Sequence, residues 1–425
     1  MALRQPDYHP CFFDMFVKSL RAKTIISSQG RGTLEAELET NKGIFRASVP
    51  SGISKSRYEA VAVEPERAVE NIKKIIAPAL LKKEFKGQKG VDDKLLQLDG
   101  TKDKSGLGAN TLLAVSVCFL RASAFSKGIP LWQEVGRLSE SRASLPKPLL
   151  LLAEGGGHGE GRLAVQEFMA LSEGEGFKQS FEKARRLYGQ LERFLAGKFS
   201  ADNIGTGAEG GFTPPAENTL QMLDLIVGAV EEAGLKKEVK VVLDVASSEF
   251  FQQGRYYFEG KERQPQEMAS FYETIINKYP IFALEDPFSQ EDWLSWREFK
   301  AKLASREREV LLAGDDLTAT NPERIKKARE ENAVSAVILK PNQIGTISET
   351  IEAALLAKSF GWKVIVSHRG EETEDNLIAD LAVGLAADYI KAGGPFHKER
   401  KAKYDRLLEI EKELAAAQGK AQDKA

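Results

Sequence analysis

The chain has 425 residues, 42% of them hydrophobic and 29% charged, with 36 Gly and 16 Pro; that is a folded composition, long enough for more than one domain, and it excludes a disordered or fibrous polymer. Sixty basic residues against 62 acidic ones give a net charge of −2, so no positive field is available to draw nucleic acid or an anionic membrane. Two cysteines, Cys11 and Cys118, allow neither a disulfide framework nor a cysteine-rich metal site and point to a reducing, cytoplasmic setting.

Residues 1–15 read as an N-terminal extension. Asp7, His9, Pro10 and Asp14 interrupt any export signal there, and no later run is expected to reach the roughly 18 apolar residues needed to span a bilayer. Residues 33–39 (TLEAELE) alternate in polarity and lead through Lys42-Gly43 into IFRASVP, which predicts a β-hairpin with one buried face. Apolar residues at helical spacing predict helices over 66–82 and 110–127. Strands followed by helices make residues 16–140 an α+β capping domain. The polar, proline-bearing stretch LSESRASLPKP (138–148) is the expected linker, and 415–425 reads as a flexible tail.

Beyond the linker, over 141–414, short apolar runs recur at 149–158, 164–171, 239–247, 279–287, 308–316, 333–343, 362–369 and 387–394. Their polar ends from Asp244 onward fall at 244, 285, 315, 340, 368 and 391, spaced by 41, 30, 25, 28 and 23 positions. Each interval suits one strand, one helix and two loops. The predicted fold class is therefore α/β, a C-terminal (β/α)8-type barrel of parallel strands with a smaller N-terminal α+β domain. An open doubly wound sheet would carry a Gly-rich dinucleotide fingerprint after its first strand, and GGGHGEG (155–161) does not have that spacing.

Side chains at the carboxyl ends of barrel strands converge on one mouth. Asp244, Glu285 and Asp315 in successive repeats repel one another unless positive charge lies between them, and oxygen-only donors suit a hard cation such as Mg2+. One such Asp alone is as often a helix cap; three in register are not. Lys340 and Lys391 end two more strands, and a lysine beside other cations can turn neutral and act as a base. His368 and Arg369 add an imidazole and a fork suited to carboxylate or phosphate. His158, Gln166, Glu167 and Glu209 come from the earlier runs, Glu209 between glycines that let a ligand approach. A glutamate facing a lysine base completes an acid/base pair, and the implied reaction is proton removal beside a metal-bound carboxylate followed by loss of a leaving group.

From about residue 20 to 414 the chain resembles an enolase. The strings VPSGIS (49–54), LDGTKDKSGLGAN (98–110), GGGH (155–158), QEFM (166–169), AEGGF (208–212), LDVASSEF (243–250), LEDP (284–287), GDDL (314–317), LKPNQIGT (339–346), SHRGEETED (367–375) and IKAGGP (390–395) occur in family order. The resemblance implies a barrel whose first strands break the strict alternation. It implies dehydration of 2-phosphoglycerate to phosphoenolpyruvate, with Lys340 as base and Glu209 as acid assisted by Glu167. It further implies one Mg2+ on Asp244, Glu285 and Asp315, and Ser54 on a loop that closes over a second. Lys391 would meet the substrate carboxylate and Arg369 the phosphate, with His158, Gln166, Glu285, His368 and Gly370 lining the pocket. A lysine base working with Mg2+ is the general pattern of that superfamily and comes with the resemblance.

Several positions depart from the family pattern. Ala208 stands where an acid is usual, Gly370-Glu371 where Ser-Gly is usual, and Lys55-Ser56 where Thr-Gly is usual. A lost hydroxyl costs on the order of 1.5–3 kcal/mol of hydrogen bonding to a charged group, while Lys55 can restore positive charge over the phosphate. A homodimer is the expected assembly, although Glu35 would then face Glu409 where a Glu–Arg pair is usual. Two further readings follow: a dehydratase for a different α-proton carboxylate, or an enolase-like protein with weak or no catalysis and a binding role. His9 and His397 have no assigned role.

Overall fold

The computed structural model describes residues 16–81, 83, 85, 87–156, 163–200, 203–306 and 309–422. Its N-terminal part is an antiparallel meander of Val17–Ile26, Gly32–Thr40 and Ile44–Val49 covered by helices. Alternation in the second strand turns Leu34, Ala36, Leu38 and Thr40 inward, and Glu39 pairs with Ile44 across the predicted Lys42-Gly43 turn. The strand Val17–Ile26 escapes the sequence reading because only Val17 and Leu20 along it are buried. The region 66–82 folds as helix Pro65–Asn71, a π-turn at Ile72–Ile76 and a short helix Ala77–Leu80. Pro78 has no N–H to donate back to residue 74, and the widened turn just before it absorbs the missing bond.

The helix Ala109–Ser126 is long and apolar enough by length and composition to cross a membrane, contrary to the expectation that no run reaches that length. Most of it is buried, with Leu112, Val115, Phe119 and Ala122 among its enclosed residues. It is the core helix on which the three-stranded sheet rests.

All eight predicted runs form barrel strands: Lys147–Glu154, Glu167–Ser172, Val239–Asp244, Ile281–Glu285, Leu311–Gly314, Ala336–Leu339, Lys363–Ser367 and Tyr389–Lys391. The last pairs with the first, Tyr389 beside Lys147, which closes the ring. The fully parallel expectation needs one correction. The second strand runs antiparallel to both neighbours, pairing Glu167 with Glu154 on one side and with Asp244 on the other. Two helices, Phe177–Lys198 and Thr219–Glu232, lie between this reversed strand and the third. The long interval between Asp244 and Glu285 holds a small sheet of Phe251–Gln252, Arg255–Phe258 and Lys261–Arg263 before its helix. The final helix, Lys398–Gln422, extends through residues 415–422, where composition suggested a tail.

Strand period two sorts the barrel residues. Met169, Val242, Ala283, Ala313, Ile338 and the partly buried Tyr389 belong to the interior cluster. Leu243, Leu284, Leu312, Val337, Val366 and Ile390 pack outward against the helices. Two positions along from those interior residues, at the mouth, lie Glu167, Asp244, Glu285, Asp315, Lys340 and Lys391. The same alternation that fills the core aims these six side chains at one point.

Docking of the two parts sets a lid over that mouth. Arg121 of the long helix reaches Asp375 after the seventh strand, Nη2 to Oδ1 at 2.6 Å, and Asp92 accepts from Ser348 N at 2.9 Å. Burial alone would raise the Asp375 pKa, but Arg121 overrides it and holds the carboxyl below its ordinary value. This contribution to stability is complete above the unfolded pKa of about 3.9 and is lost as pH falls through the depressed folded value. Asp375→Asn, which strands Arg121, is expected to cost about 3 kcal/mol at pH 7. Urea unfolding of wild type and variant measures it, and a cost under about 0.5 kcal/mol would leave the contact with no part in stability.

Candidate active site

The mouth carries many more acids than cations. Glu167, Glu209, Asp244, Asp286, Asp315 and Asp316 line it with Lys340, Lys391, His368, Arg369, Gln166, Ser54 and Gly370, and Glu285 is buried beside them. Lys391, on the eighth strand, reaches across to the fourth, where its Nζ lies 2.9 Å from both Glu285 oxygens. The same amine is 3.1 Å from Asp244 Oδ2 and 3.2 Å from Glu167 Oε1. Lys340 Nζ donates to Asp315 Oδ2, whose other oxygen accepts from Gln343 Nε2 at 3.0 Å.

These contacts set the charge balance at the mouth. Burial disfavours a charged Lys340, but Asp315 outweighs it and its pKa rises, while Glu167, Glu285 and Asp244 raise Lys391 against the same burial. Lys391 lies against Asp244 and Glu285, and Lys340 against Asp315, so each of these three acids has an ammonium partner here. The groups of three ligand atoms within 4.8 Å among the described residues are Glu167–Glu209–His368 and Asp286–Asp315–Asp316. In the second, both Asp286 oxygens already accept backbone N–H groups, from Asp315 at 3.1 Å and Asp316 at 2.6 Å. Asp286 thus shapes the turn that presents Asp315.

The electrostatics still suit a divalent cation. Burial, then the neighbouring acids, pushes Glu167, Glu285 and Asp286 well above the carboxylate range, and burial with Asp315 lifts Asp316 to about 7. Acids so shifted are short of positive charge. Glu167 Oε2 is buried with no hydrogen-bond partner. Surplus carboxylate oxygens at one mouth fit a hard ion such as Mg2+.

Glu209 occupies the tip of a small hairpin, Gly205–Thr206 paired with Phe212–Thr213, whose Phe212 joins the first strand at Ala153. Its backbone N–H donates to both Glu154 oxygens at 3.1 Å, and Gly211 N–H donates to the same carboxylate. Glu209 Oε2 is 3.4 Å from His368 Nε2. Burial, then Arg400 and the two mouth lysines, holds His368 well below the ordinary imidazole range against the pull of Glu209.

The segment Gly52–Glu59 lies over this floor. Ser54 Oγ is 3.5 Å from Gln166 Nε2, and Ser54 O accepts from Arg369 Nη2 at 3.2 Å. Arg369 is largely taken up by the lid: Glu59 accepts from Nη1 and Nη2 at 3.0 Å each, and Asn342 Oδ1 from Nη1 at 3.0 Å. A Cβ on Gly52 would stand 2.6 Å from the Ser54 carbonyl oxygen as well as 1.9 Å from Arg369 Nη2, so only glycine permits this approach. Under the lid the cavity is about 20 Å³, room for one water. His158 lies outside the described residues.

A family model described as "Enolase, N-terminal domain" matches residues 17–135, and one described as "Enolase, C-terminal TIM barrel domain" matches 142–424. The chain belongs to the enolase family. Membership and the acid-rich mouth make it an enolase-type, Mg2+-dependent hydro-lyase acting on a small-molecule carboxylate, and support a cytoplasmic location.

Within this enolase the departures acquire causes. Glu371 adds no free acid to the pocket, because its Oε1 is 3.0 Å from Arg31 Nη2 and its backbone pairs with Ser51. A Cβ at Gly370 would be 2.7 Å from Ile53, so the lid fills the space a longer residue would take. Ala208 offers its carbonyl to Gln29 Nε2 at 3.0 Å. Four residues of the enolase site escaped the sequence reading: Glu154, Asp286, Glu59 and Arg400. Glu154 ends its strand just as Asp244 does and was open to the same rule, whereas Glu59 and Arg400 have no local signature.

Proposed function

We propose that this enolase catalyses the reversible dehydration of 2-phosphoglycerate to phosphoenolpyruvate. The observation that carries the reading is the spacing around the ring. Lys340 follows the sixth strand and Glu167 opens the second, four strands apart in a ring of eight, so a base and an acid face each other across one bound substrate. Lys340 takes the proton next to the carboxylate, and Glu209, supported by Glu167, gives a proton to the departing hydroxide. Lys391 neutralises the substrate carboxylate. Mg2+ on Asp244, Glu285 and Asp315, with Ser54 reaching toward a second ion, would supply positive charge beside that carboxylate as it gains electron density.

Lys340 can release its own proton once the Asp315 charge is engaged elsewhere, since Asp315 is what holds it. A phosphorylated three-carbon acid does not fit in about 20 Å³, so the lid must swing away to admit it. Incubation with 2-phosphoglycerate and Mg2+, followed by detection of phosphoenolpyruvate, tests the function; absence of product, or product formation unaffected by chelator, would reject it. Lys55, exposed on the lid, is expected to attract the phosphate. Lys55→Ala should raise KM about threefold with kcat unchanged, and an unaltered KM would remove that role.

The engagement of Arg369 with Glu59 and the glycine at 370 favour a second reading, a different α-proton carboxylate without a phosphate. Competition between 2-phosphoglycerate and unphosphorylated 2-hydroxy acids separates the two. For assembly we propose a homodimer, with no nucleic-acid or membrane partner. Glu35 has Lys23 at 2.9 Å and Glu409 has Arg406 at 3.2 Å, which offsets the repulsion expected between the two acids. Sedimentation at micromolar concentration should give a dimer; a monomer would reject the proposal.

A further inference from the structure

Arg400, on the final helix, is fully buried. Its Nη1 lies 2.6 Å from His368 Nδ1 and also donates to Arg369 O. Its Nη2 donates to Gly370 O at 2.6 Å and Ala208 O at 3.4 Å. One guanidinium therefore ties the segment after the seventh strand to the loop that carries Glu209.

A guanidinium has N–H donors only and keeps its proton throughout the working range. The ring nitrogen facing it must offer a lone pair. Nδ1 of His368 is then unprotonated, and the single ring proton of the neutral imidazole resides on Nε2, the atom 3.4 Å from Glu209 Oε2. An imidazolium, or the opposite tautomer, would set an N–H against an N–H.

We infer that Arg400 is a positioning residue that fixes His368 in its Nε2–H tautomer and so aims that N–H, rather than a lone pair, toward Glu209 Oε2. It acts on the orientation of the acid proposed above, and its value for catalysis rests on that proposal; the tautomer itself does not. The outcome is that Glu209 Oε2 faces an N–H, not a lone pair, across 3.4 Å. Without Arg400 the ring would be free to present a lone pair to Glu209 instead.

The chain has four histidines, so long-range 15N–1H correlation spectra of the intact protein can be assigned, the His368 signals being those missing from a His368→Gln sample. The expected wild-type pattern is a pyridine-type Nδ1 and a pyrrole-type Nε2. Arg400→Lys, which keeps a donor, should retain that pattern and most of kcat. Arg400→Met should lose the pattern and lower kcat by about 10–100-fold at nearly constant KM. A protonated Nδ1 in the wild type overturns the inference, as does Arg400→Met with the wild-type tautomer and full kcat. If Arg400→Met does not fold, the wild-type spectrum decides alone. A wild type with the expected tautomer but no turnover of 2-phosphoglycerate would reject the proposed function and leave the inference standing.

Discussion

Lys340→Ala should lower kcat for 2-phosphoglycerate by about 10⁴-fold or more, the upper end of what a positioned base contributes, while changing KM only slightly. The reasoning is geometric. Ile338 points into the barrel core, so Lys340, two positions on, must emerge at the mouth, where Asp315 holds its amine. No other lysine at the mouth can substitute, because Lys391 is committed to Glu167, Asp244 and Glu285. Steady-state phosphoenolpyruvate formation measures the loss, with circular dichroism to show that the barrel remains folded. A variant within tenfold of wild type would dismiss Lys340 as the base.

Glu209→Gln is expected to lose about 10²–10⁴-fold in kcat, and it should fail at a different step. The variant keeps a side chain of the same size beside His368, and the Glu154 contacts go to backbone atoms of residues 209 and 211, so the loop keeps its shape. What disappears is the proton for the leaving hydroxide. Exchange of the substrate α-proton with solvent deuterium should therefore persist in Glu209→Gln and vanish in Lys340→Ala. Loss of exchange in both would mean that Glu209 does more than protonate the leaving group.

Much of this site was legible because strands obey a period of two. Runs such as VVLD and AVILK state, without any tertiary knowledge, that one face is buried and that the terminal polar residue shares it, and Asp244, Glu285, Asp315, Lys340 and Lys391 all follow from that rule. Glu167 lies outside that rule, because it begins a reversed strand. Charge states were the least readable feature. A lysine beside other cations can turn neutral, and the acids that the same pattern collects pull Lys340 the other way. Arg400 and Glu59 were invisible because their partners are remote, Glu59 being 310 positions from Arg369. Nothing in the local pattern of a terminal helix or a polar loop announces such a contact.

The reversed second strand has a consequence for redesign. In a barrel whose strands all ascend, new chemistry can be installed by exchanging the loop that follows any single strand. Here the first two staves share one mouth-side connection and present Glu154 and Glu167 from opposite chain directions, so neither can be replaced alone without inverting its neighbour's register. A graft from another member must carry both staves together, with Phe212 and the Glu209 turn that leans on them, as one indivisible cassette.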